Sequence, residues 1–516
     1  MEIVWYRMFA PLLGGSAYSF GLILTMALLG IGSGAAFYGV YGRLRRPILA
    51  TFSITCAVEA LLIAVPFGVG DDLAALTLVS RGLEVFGFAG LVMSWVVITA
   101  FVVFPPAFVA GFQFPLLVGL LGEGREAIAR QVGAAYFANT VGSILGALGS
   151  GFGLLVLVGA LRLWSAMVIV LLAVAALALA LAWRRAPRER WSGGVVAVSV
   201  AVSGICLYAE GPTSAWRHAP IGAGRVEDAA IQSANNFEAF RRRFQTNVTW
   251  EADGRESSVG LRSLHGVSFS VSGKTDGHTV GDFDTVVMCP LIAAAFHPEP
   301  RRGLVIGLGT GTSAGWLAEV PTMAQVDVVE FEPAILEVAR VAAPVNHDVL
   351  DHPKVQVIIG DGREVLMTST TTYDVIMSEP SNPYRAGIAS LYSQDFYEAA
   401  SLTMSEDGIF VQWLQGYEID ARTFESAVAT LRSVFPAVEV WMTDYAGDIA
   451  LVAFKSEAPL DTAIMEARLS EPPYREALAK SWGVAGVPGL LSGFTIGRDA
   501  TTTILEQNRD FIDTDD

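Results

Sequence analysis

The second half of the chain carries three alternating glycines and two acidic residues whose spacing suits a nucleoside. Gly307, Gly309 and Gly311 separate an apolar run from a stretch with helical periodicity, and such a loop lets backbone approach a ligand at a helix N-terminus. Glu330 ends the next apolar run, where a carboxylate can accept from both ribose hydroxyls, and Asp361 ends the following run, where it can accept from an adenine amino group. Together they favour an adenosine-containing sulfonium cofactor over NAD, whose fingerprint is G-x-G-x-x-G.

A further acid, Glu379, ends a fourth apolar run in the segment 378–383. It can take a proton from an attacking amine or hold an ammonium group. Each assignment has a structural alternative. The glycines can form a tight turn, and Glu330 and Asp361 can be helix caps or surface acids. Glu379 can belong to a capped turn before the helix predicted near 393–401.

These residues can form one site only if the fold brings the ends of the predicted strands together. The apolar runs predict strands at 303–306, 326–329, 355–359 and 373–377, and helical stretches at 312–320 and 333–342. Strands that alternate with helical crossovers form a parallel sheet, which binds ligands at its carboxyl ends. Upstream, the runs 246–250 and 267–271 predict a small antiparallel β unit.

The first 210 residues have the composition of a membrane region. Of the 516 residues, 52% are hydrophobic and only 16% are charged, against about 25% charged in a soluble protein. Apolar stretches of about 20 residues, enough to cross a bilayer, lie at 17–38, 47–68, 86–121, 135–160 and 163–183, with a shorter one at 193–209. Segment 86–121 contains Pro105 and Pro106, and is either one broken span or two short ones.

The predicted fold class is therefore a multi-pass α-helical membrane region, then a small antiparallel β unit, then an α/β Rossmann-like domain of the class I methyltransferase type. The predicted domains are a transmembrane helical domain at 1–210, an irregular linker with the β unit at 211–290, and the nucleoside-binding catalytic domain at 291–516.

The net charge also differs between the first 210 residues and the rest of the chain. Residues 1–210 have a net charge of +3, and the rest of the chain has 22 basic and 42 acidic residues, a net charge of −20. An acidic surface repels phosphate backbones, which argues against nucleic acid as a partner and for a cationic small molecule. The three cysteines are far apart and the six histidines scattered, so neither a disulfide framework nor a metal site is predicted. The spans contain almost no ionisable residue besides Glu59, which argues against transport.

Four motifs in series resemble the spermidine synthase (polyamine aminopropyltransferase) family. They are Val305–Gly311, Val328–Pro333, Gly360–Gly362 and Tyr373–Ile376, and their order and spacing match that family over about 240–455. The apolar leader is similar to that of bacterial membrane-fused members, in which a transporter-like helical region precedes the synthase domain. Both ends of the sequence look short against such fusions.

The resemblance implies a role for each matching residue. It makes Glu330 the ribose ligand and Asp361, followed by Gly362, the adenine ligand. It makes Glu379 the counterpart of the family's catalytic aspartate. Asp282 resembles an acid of the family's segment upstream of the glycine loop.

Tyr445 is similar to a tyrosine that lines the family's polyamine pocket.

Three positions of this sequence depart from the family pattern. Thr310 stands where soluble synthases have an aspartate that holds the amine of decarboxylated S-adenosylmethionine. Glu379 replaces the catalytic aspartate, and Asn382 replaces the second aspartate of that loop. The loss of negative charge weakens the case for putrescine and leaves the adenosine site intact.

Three functions follow from these observations. The first is a membrane-bound aminopropyltransferase that uses decarboxylated S-adenosylmethionine and an amine, releases methylthioadenosine and needs no metal. The second is a transferase or lyase on the same fold that uses S-adenosylmethionine itself. The third is a membrane protein that binds a polyamine or nucleoside without turnover. The acceptor and the formation of a homo-oligomer stay open.

Arginine clusters at 43–46 and 184–190 predict the orientation in the membrane. Both clusters should be cytoplasmic under the positive-inside rule. We expect a multi-pass protein of the inner membrane with its catalytic domain in the cytoplasm, where the sulfonium donors are made. A crossing by 193–209 would conflict with this unless 86–121 counts as two spans and the second cluster lies outside.

Overall fold

The computed structural model divides into two compact units. It describes residues 1–121, 128–186, 190–385, 387–443, 447–457 and 462–515. The units are Met1–Gly260 with Ser270–Lys274, and Leu261–Phe269 with Thr275–Asp516. This division differs from the boundaries expected near 210 and 290, which stay a prediction.

The first unit is built mainly from helices. They are α1 Glu2–Leu13, α2 Ala17–Leu44, α3 Leu49–Val69, α4 Asp71–Ser80, α5 Phe88–Val102, α6 Phe104–Leu121, α7 Ile128–Gly149, α8 Leu155–Val158, α9 Ala160–Arg185, α10 Ser192–Tyr208, α11 Ser214–His218 and α12 Ala234–Asn247. Among the described residues, five helices are long and apolar enough to cross a membrane by length and composition: α2, α3, α6, α7 and α9.

The predicted span 86–121 is two helices, α5 and α6, that meet at Val103. Pro105 and Pro106 lie in the first turn of α6, where a missing N–H breaks no helical hydrogen bond. The predicted span 135–160 begins too late, because α7 starts at Ile128. After Gly149 a π-helical turn at Ser150–Leu154 leads directly into α8, which ends at Val158. The segment 193–209 forms α10, which has 17 residues.

Small residues let α2 and α6 pack closely. A Cβ at Gly34 would lie 1.9 Å from the carbonyl oxygen of Phe108, and one at Gly111 would lie 2.1 Å from that of Ile31. Any larger residue there would force the helices apart. The glycines of α7, including Gly142, have no described atom within 4 Å of such a Cβ.

The predicted linker at 211–240 is not irregular throughout. It contains α11, a turn of 3-10 helix at Asp228–Ile231, and the start of α12. Trp216, Arg217 and His218 are all buried. Their burial makes this segment part of the first unit's core rather than a polar connection.

Four strands follow one another in a small sheet whose order is the chain order. They are β1 Val248–Asp253, β2 Ser258–Arg262, β3 Ser268–Val271 and β4 Lys274–His278. Connections of a few residues join only antiparallel neighbours. The sequence predicted two of these strands.

The second unit is organised by an eight-stranded sheet with the order β12-β10-β11-β9-β8-β5-β6-β7. The strands are β5 Arg302–Ile306, β6 Gln325–Glu330, β7 Val355–Ile359, β8 Tyr373–Ser378, β9 Met404–Gln415, β10 Ala437–Met442, β11 Asp448–Phe454 and β12 Phe494–Ile496. The helices are α13 Phe283–Phe296, α14 Thr312–Ala318, α15 Ile335–Val341, α16 Gly362–Thr368, α17 Gln394–Leu402, α18 Ala421–Val434, α19 Thr462–Leu469, α20 Tyr474–Ala477, α21 Gly486–Leu490 and α22 Arg498–Gln507.

Strands β5 to β9 are parallel, as predicted for the first four of them, and β10 to β12 add antiparallel pairs. The sheet is therefore mixed, which corrects the expectation of a parallel sheet. Chain order runs outward from β5 through β6 to β7, then returns to β8 on the other side of β5. The point between β5 and β8, where the strand order reverses, is a switch point. A crevice opens there at the carboxyl ends of the two strands, and α/β sheets bind ligands in such crevices.

Candidate active site

The glycine loop and Glu379 lie on the two sides of the switch point. The backbone N–H of Glu379 donates to the carbonyl oxygen of Ile306 over 2.9 Å, which ties the end of β8 to the end of β5. Gly307 has a φ of +98°, and a Cβ there would lie 2.5 Å from the carbonyl oxygen of Glu379. Only glycine allows this approach.

The rest of the loop is similarly tight. Gly309 and Gly311 also have positive φ values, and a Cβ at Gly311 would lie 2.5 Å from a side-chain carbon of Val349. Thr310 is buried, and its hydroxyl lies 2.9 Å from that of Thr312. A pair of hydroxyl groups therefore stands where the resemblance implies a carboxylate.

Glu330 is the last residue of β6, and its carboxyl group is fixed to the glycine loop. It is 8% exposed. One oxygen accepts from the N–H of Leu308 over 2.9 Å and the other from the N–H of Glu332 over 2.8 Å. Burial raises the pKa of Glu330 to about 7, although these backbone donors oppose the rise. Each carboxylate oxygen can accept a further hydrogen bond, so the geometry fits two ribose hydroxyls.

Asp361 lies one strand further along the same sheet edge. The Gly360 N–H donates to the Glu330 carbonyl over 3.0 Å, which holds the two strand ends together. The exposed Asp361 carboxylate caps α16 by accepting from the N–H of Arg363 over 2.8 Å. A Cβ at Gly362 would lie 2.6 Å from a methyl group of Ile306, so glycine lets α16 begin against β5. The cap uses part of the carboxylate's acceptor capacity and leaves the rest for a ligand.

Glu379 combines partial burial with a short hydrogen bond. The hydroxyl of Ser313, in the first turn of α14, donates to a Glu379 carboxylate oxygen over 2.6 Å. Burial raises the pKa of Glu379 to about 7, and repulsion from Asp282 and Asp448 adds to the rise. A carboxyl group with a pKa near neutrality is suited to exchange a proton with a substrate.

Among the described residues, no group of three or more His, Cys, Asp and Glu side chains is placed to hold a metal ion. The acids at these strand ends are instead spread along the sheet edge, each next to a different loop. The arrangement is suited to hydrogen bonding and proton transfer on an organic ligand.

Comparison with known proteins agrees with this geometry. Residues 288–458 match the family model of the spermine/spermidine synthase domain. This domain belongs to the spermidine synthase family. The resemblance read from the four motifs is thereby confirmed, and the matched range contains the glycine loop, Glu330, Asp361 and Glu379.

Curated relatives of the synthase domain are polyamine aminopropyltransferases. The protein of Bacillus cytotoxicus is 28% identical over 145 residues, which are 28% of this chain and 52% of that protein. That of Thermotoga petrophila is 25% identical over 228 residues, 44% of this chain and 77% of that protein. The chain thus spans about half the length of the first relative. A crystal structure of spermidine synthase from Thermotoga maritima is 19% identical, covers 51% of this chain and 88% of its own, and has a TM-score of 0.43.

Three further residues of the synthase domain were predicted from the resemblance: Asp282, Asn382 and Tyr445. Asp282 immediately precedes α13, and its charge acts on Glu379. Asn382 is buried, and its side-chain nitrogen has no hydrogen-bond partner among the described residues. Tyr445 lies outside the described residues. The roles of all three stay predictions.

Two residues that act on Glu379, one by a hydrogen bond and one by its charge, were not predicted from the sequence. Ser313 follows the glycine loop, and its hydroxyl is the hydrogen-bond partner described above. Asp448 begins β11 and is buried. The signal for Asp448 was an acid at the start of an otherwise apolar strand, next to the segment that contains Tyr445.

Proposed function

We propose that the chain is a membrane-bound aminopropyltransferase of the spermidine synthase type. It transfers an aminopropyl group from decarboxylated S-adenosylmethionine to an amine and releases methylthioadenosine. The observation that carries this proposal is Glu379, a carboxyl group with a raised pKa that lies at the switch point beside the glycine loop of a spermidine synthase domain.

The chemistry is a displacement at the methylene carbon next to the sulfonium. The amine nitrogen forms a bond to that carbon while the carbon–sulfur bond breaks and its electron pair goes to sulfur. Glu330 and Asp361 hold the ribose and the adenine, so that the reacting carbon faces the amine. Glu379 accepts the proton that the amine loses.

The main alternative uses S-adenosylmethionine itself in a transferase or lyase reaction. The buried pair of Thr310 and Thr312 favours it, because hydroxyl groups do not neutralise a lone ammonium as a carboxylate does. The raised pKa of Glu379 favours the first proposal, because a base is needed to activate an amine. Binding of a polyamine or nucleoside without turnover is the third proposal.

We further propose that the five long apolar helices cross the inner membrane and that the synthase domain faces the cytoplasm. Ser470 is exposed and belongs to the second unit. Serine is nearly isosteric with cysteine. In intact cells, Ser470→Cys should resist an impermeant thiol reagent until the cells are broken, and the unsubstituted chain controls for the three native cysteines. Strong labelling of intact cells would place the domain outside.

Product analysis by mass spectrometry tests the function. The full chain in lipid nanodiscs is incubated with each sulfonium donor and with 1,4-diaminobutane, 1-aminobutane or a longer polyamine, and Glu379→Gln is the control. We expect an aminopropyl adduct and methylthioadenosine from the decarboxylated donor. A different product from S-adenosylmethionine selects the second function, and no product with either donor selects the third.

A further inference from the structure

A buried asparagine outside the four sequence motifs holds the glycine loop. Asn346 lies in the turns that follow α15 and is completely buried. Its amide nitrogen donates to the carbonyl oxygen of Thr310 over 2.8 Å and to that of Ala339 over 2.8 Å. Ala339 lies in the last turn of α15, where carbonyl groups lack helical partners. One side chain therefore joins the glycine loop to the end of a helix.

Every polar group of this amide has a partner. An asparagine amide has two N–H donors, and the two carbonyl oxygens use both. The amide oxygen accepts from the backbone N–H of Val349 over 3.3 Å. Because the site needs two donors on one side and an acceptor on the other, neither leucine nor aspartate, which are similar in size, can replace the amide.

The backbone around Asn346 has little freedom to adopt another arrangement. A Cβ at Gly315, in α14, would lie 1.9 Å from the Asn346 carbonyl oxygen, so the segment packs directly on the helix that follows the glycine loop. The next two residues, His347 and Asp348, have φ values of +57° and +51°. Non-glycine residues keep such left-handed conformations only where the surrounding structure holds them, which is typical of segments with a function.

Hydrogen bonds within the glycine loop connect Asn346 to the predicted ribose ligand. The N–H of Gly311 donates to the carbonyl oxygen of Leu308 over 2.7 Å and closes a turn that contains Thr310. The N–H of Leu308 donates to a Glu330 carboxylate oxygen over 2.9 Å. Asn346 thus fixes one residue of a turn whose first residue orients Glu330.

We propose that Asn346 is a positioning residue for the nucleoside site. It holds the glycine loop in the conformation in which the Leu308 N–H orients the Glu330 carboxylate toward a ribose. Asn346 acts through the loop rather than by contact with the ligand. The inference rests on the proposed function, because it assumes an adenosine-containing donor, and it adds a residue that the family resemblance does not include.

Calorimetry with methylthioadenosine, on the full chain in nanodiscs, tests this role without turnover. Asn346→Leu removes both donors and the acceptor, and we expect Kd to rise by at least about 10-fold, the scale of one buried polar group left unpaired. Asn346→Asp places a carboxylate oxygen against two carbonyl oxygens and should weaken binding at least as much. Asn346→Gln keeps the amide and should recover part of the affinity, which gives a comparison with Asn346→Asp even if the leucine variant does not fold.

Two control variants separate positioning from a loss of stability. Thr501→Val also removes a buried donor to a backbone carbonyl oxygen, that of Val438 at 2.8 Å, but β10 is separated from β5 by three strands. It should lower the unfolding temperature and leave Kd unchanged. Asp348→Gly replaces the exposed Asp348 with the residue best suited to a positive φ, and should also leave Kd unchanged. Unchanged affinity in Asn346→Leu, or an equal loss in either control, would overturn the assignment.

Steady-state kinetics separate this inference from the proposed function. In Asn346→Leu, the KM for the sulfonium donor should rise by at least about 10-fold, while the KM for the amine, measured with a saturating donor, should stay unchanged. An equal rise of both values would indicate a general distortion of the domain and refute the positioning role. Absence of aminopropyl product from a wild-type chain that binds methylthioadenosine refutes only the proposed reaction.

Discussion

Acidic side chains have different kinds of partner in the two units. In the first unit, Asp253 lies 2.9 Å from the guanidinium of Arg217, and Glu251 lies 2.6 Å from the same group and 2.8 Å from His218. Burial alone would raise the pKa of Glu251, but the hydrogen bond from His218 and the charge of Arg217 outweigh it, and the pKa is lowered.

In the second unit, Glu330 and Glu379 are held by backbone N–H groups and a hydroxyl group. For these two residues the effect of burial is larger than that of the hydrogen bonds, and the pKa of each is raised to about 7. The partners of an acidic side chain therefore indicate whether it is structural. A carboxylate neutralised by cations stabilises the fold, and one left near its protonation midpoint is available to a ligand.

Loss of the ion pair between Asp253 and Arg217 should strongly destabilise the first unit. Asp253→Ala removes one of the two carboxylate partners of Arg217 and the acceptor of the Ala160 N–H. Breaking a buried ion pair costs about 3–5 kcal/mol, so thermal unfolding in detergent should occur at a clearly lower temperature. Asp228→Ala, at an exposed position of the same unit, is the control. Equal unfolding temperatures for the two variants would show that the ionic network is not structural.

The next effect is on turnover. Glu379→Gln removes the proton acceptor and keeps the hydrogen bond from Ser313. Turnover should fall by at least about 100-fold, the low end for general-base catalysis, while methylthioadenosine still binds. Exposed Glu466→Gln is the matched control. Near-normal turnover in Glu379→Gln would leave Glu379 as part of a capped turn.

Glu330→Ala should weaken nucleoside binding. A hydrogen bond to a charged group contributes about 1.5–3 kcal/mol, and we expect calorimetry with methylthioadenosine to show a loss on this scale. Glu337→Ala, in α15, removes an acid that is further along the chain and is the control. Unchanged affinity in Glu330→Ala would remove the ribose assignment.

The smallest effect is on the pH dependence of the reaction. Glu379 must be ionised to accept a proton, and its pKa is about 7. Below pH 7, kcat/KM should therefore fall about tenfold per pH unit, and it should level off above pH 7. The profile is measured with a saturating donor, so that Glu330 does not add a second titration. A profile that is flat down to pH 5 would contradict the raised pKa.

The parts of the fold that the sequence predicted are those with local signals. Strands β5 to β8 each end on glycines or acids, so their ends and their parallel order were visible. Strands β10 and β11 are not directly followed by such residues, although they form a local hairpin in which Met442 lies opposite Ile449. The antiparallel pairing of β11 with β9 and of β10 with β12 joins segments that are distant in the chain.

The residues of the site can likewise be divided into those with a local sequence signal and those without one. The glycine loop, Glu330, Asp361 and Glu379 stand at strand ends and were predicted. Asp448 was missed because its neighbours, Thr285 and Gln415, are 163 and 33 residues away. Segment 211–240 was read as a linker for a similar reason, since Arg217 and His218 are buried through partners that lie beyond it in the chain.

The most direct test of this account measures unfolding temperature and turnover in the same preparations of Glu379→Gln and Asp253→Ala at pH 8. Because the folded-state pKa of Glu379 is raised, its ionisation above pH 7 disfavours folding, and glutamine removes that effect. We predict that Glu379→Gln loses turnover and unfolds no earlier than the wild-type chain, while Asp253→Ala unfolds earlier and keeps its turnover per folded molecule. Early unfolding of Glu379→Gln with near-normal turnover would contradict it.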